Sequence, residues 1–499
     1  MNPRDLPPLR YACWLAAAAL VACPPPFTAA RTTGAATVSA ECTVRTPVLV
    51  VGGTPAGVAA AVSAARTGTP VFLTESRPYL GGDLTGAMLN TFDMDFGLTG
   101  GNLAQGVFLE IYRRLGLTFD VETAKRVLLD EVRREPLVTL NLGTAAAGVL
   151  TRGPWVTAVT FEDSRRERYT VCARRVIDAT DDADVAAMAG VPYTLGREDS
   201  GIDRAMMSAT LVFELAGVDW RQVVNYVDDR GHREQHRVGE YHGNVWGYRG
   251  LMRAYEARQP GIAVYDLNIG LQRDRNVLIN GLLVFGVDGT DPGSVADGRR
   301  RAEAELPQLI AFLRDRAPGF AGATLVRAAD YLYIRETRHI RGLYRMTASD
   351  IVGGRVFWDA IGVASYPIDL HPYQPGEFNA YAPKRYVYTV PFRALVPRGT
   401  ANLIMASRSI SATYAAAASL RVVPTTMEEG QAAGIAAVLS IHHRVSVPQF
   451  AEEPALMYEL QAGLHEQGAF LPSATLDVIG WNTPSSAARV RPAPPARPQ

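Results

Sequence analysis

The chain contains little cysteine and no surplus of charge of either sign. Four cysteines occur among 499 residues, none in a Cys-x-x-Cys spacing, so thiol–disulfide redox chemistry is not expected. Fifty lysines and arginines balance fifty aspartates and glutamates, which removes the basic surplus that binds nucleic acids and anionic membrane surfaces. With 47% hydrophobic and 20% charged residues, the composition is globular, and the length suits two interleaved domains. We therefore expect a small molecule as the partner.

A long hydrophobic run is also missing. The apolar stretch at residues 11–22 is too short to span a bilayer comfortably, and arginines precede it. Residues 1–40 are therefore typical of an export leader. Residues 20–23 resemble a lipoprotein cleavage box with Cys23 as the lipidated residue, whereas residues 38–40 offer an ordinary cleavage site. We expect an exported protein that has no membrane span after processing. The alternatives are a retained anchor and a misassigned start codon.

A strand, a glycine-rich turn, a helix and a second strand follow the leader. Residues 47–51 are an unbroken apolar run, residues 58–67 are rich in alanine, and residues 71–75 form the second apolar run. This order predicts a parallel sheet with a right-handed crossover, and a turn whose backbone N–H groups face a pyrophosphate. The turn consists of Gly52, Gly53, Thr54, Pro55, Ala56 and Gly57. Thr54 replaces the middle glycine of the usual dinucleotide pattern, and Glu75 is placed to accept ribose hydroxyls.

The remaining pattern divides the body into a Rossmann-type dinucleotide-binding half and a mixed second half. Helices are predicted at residues 102–116, 121–135 and 427–440, and buried strands at residues 175–180 and 402–406. The glycine pair at residues 143 and 148 is followed by β-type residues rather than a helix, so a second dinucleotide fold is not expected. The predicted divisions are residues 41–205 and 401–445 for the cofactor domain, 206–400 for the substrate domain, and 446–499 for an extension with a disordered tail.

Six segments in a shared order resemble the FAD-dependent oxidoreductase family with the glutathione-reductase-like flavoprotein fold. They are residues 50–57, 80–85, 176–180, 335–340, 405–413 and 421–434. The resemblance implies an α/β fold in which a Rossmann-type parallel-sheet FAD-binding domain is interleaved with an α+β substrate domain. It also implies FAD as the cofactor.

The resemblance, together with local chemistry, assigns further positions to the cofactor. They are Gly81, Gly82, Thr180, Arg408, Gly430 and Gly434. The first two can pass close to the flavin because no Cβ intrudes, and Arg408 is expected near the ribityl phosphate. Gly430 and Gly434 are expected to flank a helix start whose amides stabilise negative charge on the reduced flavin. Close helix packing is the alternative for these two glycines.

Charged residues near the expected active site are candidates for binding the substrate. Arg335, Glu336 and Arg338 form a dense charged group, and buried arginines hold carboxylates in a bidentate grip. Arg421 is a candidate second anion ligand. An ordinary interdomain ion pair is the alternative for the first group.

Two further side chains are candidates for chemistry at the flavin. His371, in a loop rich in proline and tyrosine, is placed to take a proton while hydride leaves for the flavin. Tyr388 is a candidate for lining the flavin face. The alternative for His371 is a structural histidine, and the alternative for Tyr388 is a core aromatic residue. His232 and His236 have helical metal-ligand spacing, but their charged surroundings favour a solvated segment, so no metal is expected.

Cys42 and Cys172 lie outside the leader. Cys42 precedes Gly52 by about ten residues and Cys172 precedes Thr180 by about eight, so both fall near the start of neighbouring parallel strands. We predict a disulfide between them, as an oxidising compartment allows.

These features together predict an FAD-dependent dehydrogenase or oxidase. Hydride would pass from a small-molecule substrate to FAD, and electrons would continue to an external acceptor, namely oxygen, a quinone or a redox protein. A reductase of an activated double bond and a non-catalytic exported FAD-binding protein are the alternatives.

Overall fold

The computed structural model describes residues 41–97, 100–228, 239–377, 379–381 and 386–472. The predicted leader, the pair His232 and His236, and the predicted disordered tail lie outside these residues.

The described residues alternate between strands and helices along the chain. The strands are β1 (Val44–Val51), β2 (Val71–Glu75), β3 (Val138–Leu142), β4 (Thr144–Arg152), β5 (Trp155–Asp163), β6 (Arg168–Asp178), β7 (Tyr193–Leu195), β8 (Ala209–Ala216), β9 (Gly239–Tyr241), β10 (Asn244–Gly247), β11 (Ile262–Ala263), β12 (Leu267–Leu271), β13 (Val277–Val284), β14 (Thr324–Ala328), β15 (Arg338–Ile340), β16 (Ala360–Ala364), β17 (Asp369–Leu370), β18 (Ala380–Tyr381), β19 (Tyr388–Pro391) and β20 (Leu403–Met405). The helices are α1 (Pro55–Arg66), α2 (Gly82–Thr85), α3 (Val107–Leu115), α4 (Val121–Arg133), α5 (Asp184–Met188), α6 (Trp220–Asp228), α7 (Arg249–Met252), α8 (Pro292–Arg316), α9 (Ala348–Val352), α10 (Tyr414–Leu420), α11 (Val423–His442), α12 (Val447–Glu452) and α13 (Pro454–Glu466).

A parallel sheet forms the cofactor half of the molecule. Its order is β3-β2-β1-β6, and β20 adds to β6 in the parallel direction, with Ile404 opposite Ile177. The first half of β6 instead pairs antiparallel with β5, which continues into β4. Residues 48–51 of β1 are buried because helices cover the sheet, which explains their unbroken apolar sequence. The predicted Rossmann-type order is therefore confirmed.

Helices α1 and α11 pack with their backbones in close contact. A Cβ atom added to Gly430 would lie 2.1 Å from the carbonyl oxygen of Ala56, and one on Gly434 would lie 2.3 Å from that of Ala60. Helix α11 begins at Val423, so both glycines stand inside it. The prediction that they flank a helix start is wrong, because their small size is needed for helix packing and not for a helix end.

An antiparallel sheet forms the second half. Its order is β14-β8-β13-β12-β10-β9, and β11 adds to β13. One face packs on helix α8, where Phe213 and Ile279 share a hydrophobic cluster with Leu306 and Leu309. Side chains from residues 340–396 join the core of the parallel sheet, so the two hydrophobic clusters divide the chain near residue 335 rather than at 400.

Two helices start at other residues than the sequence predicted, whereas the strand expected after Gly143 is present. Helix α3 starts at Val107 rather than at residue 102, after Gly106 with its positive φ of 59°. Helix α11 starts before the predicted residue 427, because Pro424 is tolerated in its first turn. Residues 144–152 form strand β4, so no helix follows Gly143. Within the described ranges, the helices are too short or too polar to cross a bilayer.

Cys42 and Cys172 lie together at the start of the two central strands. In the structure they are paired as a disulfide with their Cα atoms 5.7 Å apart, and Cys172 stands beside Arg45 in the β1–β6 register.

The disulfide should be detectable by thiol alkylation of the purified protein. Under denaturing, non-reducing conditions we expect neither Cys42 nor Cys172 to react, and both to react after dithiothreitol. Replacing both by serine should lower the free energy of unfolding by about 2–5 kcal/mol, because a long loop is no longer closed in the unfolded chain. Alkylation of both thiols without reductant would contradict the pairing.

The contact between helices α1 and α11 should not tolerate a methyl group. Gly430→Ala should lower the free energy of unfolding by about 1–3 kcal/mol, because the new Cβ meets backbone that cannot rotate away. Urea denaturation measures the change. The matched control is Gly463→Ala in helix α13, where the new Cβ would meet only a methyl group of Ile435, at 3.2 Å, and where stability should change by less than about 1 kcal/mol. Equal effects of both substitutions would refute the close packing.

Candidate active site

The glycine-rich turn joins β1 to α1 exactly where the two central strands end. Thr54 caps the helix: its Oγ1 accepts a hydrogen bond from the Gly57 N–H at 3.1 Å and donates to the Ala179 carbonyl at 2.9 Å. Gly52 has a φ of +105°, and a Cβ there would lie 2.5 Å from the Ala179 oxygen. A Cβ on Gly57 would lie 1.8 Å from the Gly52 oxygen. Thr54 therefore replaces a glycine without blocking the turn, because it ties the helix to β6.

Glu75 lies beside this turn at the end of β2. Its carboxylate is buried, and it accepts hydrogen bonds from the Gly53 N–H at 2.7 Å and from the Arg77 N–H at 2.9 Å. Gly81 also donates its N–H to the Gly53 carbonyl at 2.7 Å. The acidic residue thus stands at the predicted place, and its contact with ribose hydroxyls stays a prediction.

Arg408 follows β20 and is surrounded by three carboxylates. Its guanidinium lies 3.0 Å from Asp83, 2.8 Å from Asp182 and 3.6 Å from Asp181. Burial raises the pKa of Asp181 to about 7, although Arg408 favours the charged form. Asp181 and Asp182 come directly after Thr180, whose hydroxyl donates to Asp178. The cation and the carboxylates meet because parallel strands end at one edge of a sheet.

The residues at this edge fit an FAD. A Cβ on Gly82 would lie 3.4 Å from the Thr54 methyl group, so the loop of Gly81 and Gly82 lies against the glycine-rich turn. Its predicted approach to the flavin stays a prediction. The N-terminus of α1 provides backbone amides for an anion, and Arg408 provides a buried guanidinium. Helix α11 reaches the same region because it packs along α1.

A cavity of about 540 Å³ lies between the antiparallel sheet and the segment before α11. It is lined by three of the sequence-predicted residues, Arg335, His371 and Arg421. Its volume is within the range of small-molecule sites. The predicted anion ligands and the predicted proton acceptor therefore meet in one place, although 86 residues separate the first from the last.

Both arginines of the cavity are held by oxygen atoms of the protein. Arg335 is 3% exposed and donates to the Ser208 carbonyl at 2.6 Å and to Thr210 Oγ1 at 2.9 Å. Arg421 donates to the Tyr333 hydroxyl at 2.7 Å and to Asp369 Oδ2 at 3.2 Å. The Arg335 guanidinium also lies 4.5 Å from the centre of the Tyr333 ring. One side of the cavity thus presents two guanidinium groups in fixed planes, and the carboxylates of Asp93 and Asp369 also line the cavity.

His371 is oriented by a carboxylate. Its Nε2 lies 3.2 Å from Asp369 Oδ2, so the hydrogen bond requires the proton on Nε2. Nδ1 is buried without a hydrogen-bond partner among the described residues, so its lone pair is not used by them. Burial, and next the charge of Arg335, lower the pKa of His371 to about 4. The imidazole is consequently neutral at pH 7.

Two predicted catalytic residues next to Arg335 in the sequence lie outside the cavity lining. Glu336 is buried, accepts the Met207 N–H at 2.7 Å and lies 3.3 Å from His339. Arg338 pairs with Asp184 at 2.9 Å. Both side chains thus bind groups of the protein away from the cavity, because neighbouring residues of an extended segment point in opposite directions.

Tyr388 is a core aromatic residue. It is fully buried in β19, and its hydroxyl lies 2.6 Å from Ser419 Oγ. The prediction that Tyr388 lines the flavin face is wrong, because protein encloses the whole side chain.

Several residues of the site were not predicted. Asp93, Tyr333 and Asp369 line the cavity, and Asp83 and Asp182 surround Arg408. The repeated aspartates directly after a buried strand were a usable signal for Asp182. The cavity residues carry no local pattern, because they are brought together only by the tertiary fold.

The sequence matches a known family over most of its length. The family described as FAD dependent oxidoreductase matches residues 47–464. A search of curated proteins gives no match.

Solved structures of low sequence identity are similar to this chain over most of its length. A geranylgeranyl bacteriochlorophyll reductase-like protein from Thermoplasma acidophilum is 13% identical, with 85% of this chain and 84% of that chain covered and a TM-score of 0.43. A p-nitrophenol 4-monooxygenase from Pseudomonas putida is 12% identical, with coverages of 87% and 83% and a TM-score of 0.37. A myxobacterial chondrochloren halogenase is 13% identical, with coverages of 85% and 78% and a TM-score of 0.39.

The glycine-rich turn, the helix that packs along it and the match over residues 47–464 agree, and the chain belongs to the FAD dependent oxidoreductase family, with FAD as its cofactor.

Proposed function

We propose that this enzyme oxidises a small alcohol or amine that carries a carboxylate. The observation that carries the proposal is the convergence of Arg335, Arg421 and the Asp369–His371 pair on one cavity. The arginines supply binding and orientation, and the histidine supplies a proton acceptor. When bound, FAD supplies the two-electron acceptor.

The arginines favour an anionic substrate group. A buried guanidinium binds a carboxylate through parallel N–H donors, which fixes orientation as well as position. Arg421 also pairs with Asp369, and Arg335 also donates to the Ser208 carbonyl and to Thr210 Oγ1. Both arginines are thereby fixed in positions from which they would bind the substrate carboxylate together.

His371 would take the proton of the substrate hydroxyl or amine. The Asp369 carboxylate keeps the proton on Nε2, and Nδ1 presents its lone pair. As the substrate C–H bond breaks, its electron pair leaves as hydride, and the O–H or N–H proton passes to Nδ1. A C=O or C=N product results, and the charges balance.

We further propose that the electrons leave to oxygen, a quinone or a redox protein outside the cytoplasm. The leader-like residues 1–40 and the Cys42–Cys172 pair support an oxidising compartment.

The cofactor is tested on the purified protein. We expect flavin absorbance near 450 nm, or its recovery when FAD is added to the apoprotein. A protein that shows neither would refute the proposed function.

Arg408 should be required for tight FAD binding. Arg408→Met leaves Asp83, Asp181 and Asp182 without their cation, and these carboxylates then repel the pyrophosphate. We expect the FAD dissociation constant to rise at least about tenfold, which fluorescence titration of the apoprotein measures. Arg355→Met is the control, because this arginine pairs with Asp350 and its side chain is 54% exposed. Unchanged affinity in Arg408→Met would contradict the assignment.

His371→Gln should slow flavin reduction while leaving FAD content intact. We expect a loss of about 10²–10⁴-fold in the anaerobic reduction rate, because glutamine cannot accept the proton. In the wild type the rate should fall as the pH drops through about 4, since the lowered pKa keeps the imidazole neutral above that value. Stopped-flow absorbance measures both. A variant that keeps the wild-type rate and pH profile would show that another group takes the proton.

A further inference from the structure

An unusual sheet face forms part of the cavity wall. In β10, β12 and β13, Trp246 stands opposite Asn268, and Asn268 stands opposite Asn280. All three line the cavity. Directly opposed residues in an antiparallel sheet share a face, so these side chains form one row across the strands. We call Asn268 and Asn280 the amide row, and Trp246 lies at its end.

The other face of the same strands is fully apolar. The alternate residues Val245, Ile269 and Ile279 are 0% exposed and belong to the cluster beneath α8. Because successive side chains of a strand point to opposite faces of the sheet, the amide row faces the cavity.

The folded chain uses only part of the hydrogen-bonding capacity of the row. Asn244 donates to Thr91 at 2.7 Å and to Asn268 Oδ1 at 2.8 Å, which fixes the Asn268 amide and leaves its NH₂ group for the cavity. The described residues provide no hydrogen bond to the side chain of Asn280. Asparagine is disfavoured inside strands, so the fold alone does not account for this pair.

The row has the chemistry of a site for hydroxyl groups. A primary amide offers both donors and an acceptor, which matches hydroxyl groups that donate and accept in the same way. Trp246 has 36% of its surface exposed and offers a flat apolar face to the C–H bonds of a ring. An aliphatic carboxylate would leave the amides without partners after desolvation, which costs free energy.

We propose that the substrate is a polyhydroxylated carboxylate of the sugar-acid class. Its carboxylate lies at Arg335 and Arg421, and its other hydroxyl groups lie at Asn268 and Asn280. This inference rests on the proposed function, because it uses the same arginines for the anionic group.

The proposal is tested by binding to the FAD-loaded enzyme, without turnover. D-Glucuronate and cyclohexanecarboxylate serve as probes, since both carry a carboxylate on a six-membered ring and only the first carries hydroxyl groups. By isothermal titration calorimetry we expect D-glucuronate to bind at least about tenfold more tightly. Asn280→Leu should reduce that ratio at least about tenfold while leaving cyclohexanecarboxylate binding unchanged.

The controls separate this inference from the proposed function. Asn141→Leu changes a strand asparagine of β3 whose partner is Tyr169, outside the cavity lining, and should leave the ratio unchanged. Arg335→Met should weaken both probes, which tests the anion site alone. Equal affinities of the wild type for both probes, with binding that still depends on Arg335, would overturn the sugar-acid inference and leave the proposed function standing. If neither probe binds, the sugar-acid inference and the proposed function are both overturned.

Discussion

The contact between helices α1 and α11 is the constraint on which the rest of the structure depends. Gly430 and Gly434 bring the backbones of two segments nearly four hundred residues apart into direct contact, with no side chain between them. Helix α1 carries the pyrophosphate turn at its N-terminus, and α11 carries the segment that leads to Arg421. The glycine-rich turn and the guanidinium of Arg421 are therefore both connected to one pair of packed helices.

The edge of the parallel sheet concentrates charge, and the structure balances it locally. Asp181 and Asp182 follow β6, and Arg408 follows β20, so the strand order itself places them together. Three carboxylates near a pyrophosphate site would repel the ligand if they were uncompensated. A buried guanidinium among them, together with the raised pKa of Asp181, lowers the negative charge at neutral pH. The positioning of FAD thus depends on charge compensation as much as on the glycine turn.

The parts of the site that the sequence predicted are those with a local signal. The turn at residues 52–57 and Glu75 follow from the spacing of glycines and strand ends, and His371 follows from its chemistry in a loop. Gly430 carried a signal of special geometry, but a sequence cannot show whether a glycine makes room for a ligand or for a helix. Tyr388 was ambiguous for a similar reason, because aromatic residues serve cores and pockets equally well.

The remaining residues could not be predicted because their roles exist only in the tertiary structure. Asp369 acts through two partners, since it orients His371 and also pairs with Arg421. Arg421 ends α10 two residues before α11 begins, so any movement of α11 moves the guanidinium, and through Asp369 it also moves the imidazole. In the proposed reaction, the group that would bind the substrate anion is therefore positioned next to the helix that contacts α1, and Asp369 links it to the group that would accept the proton.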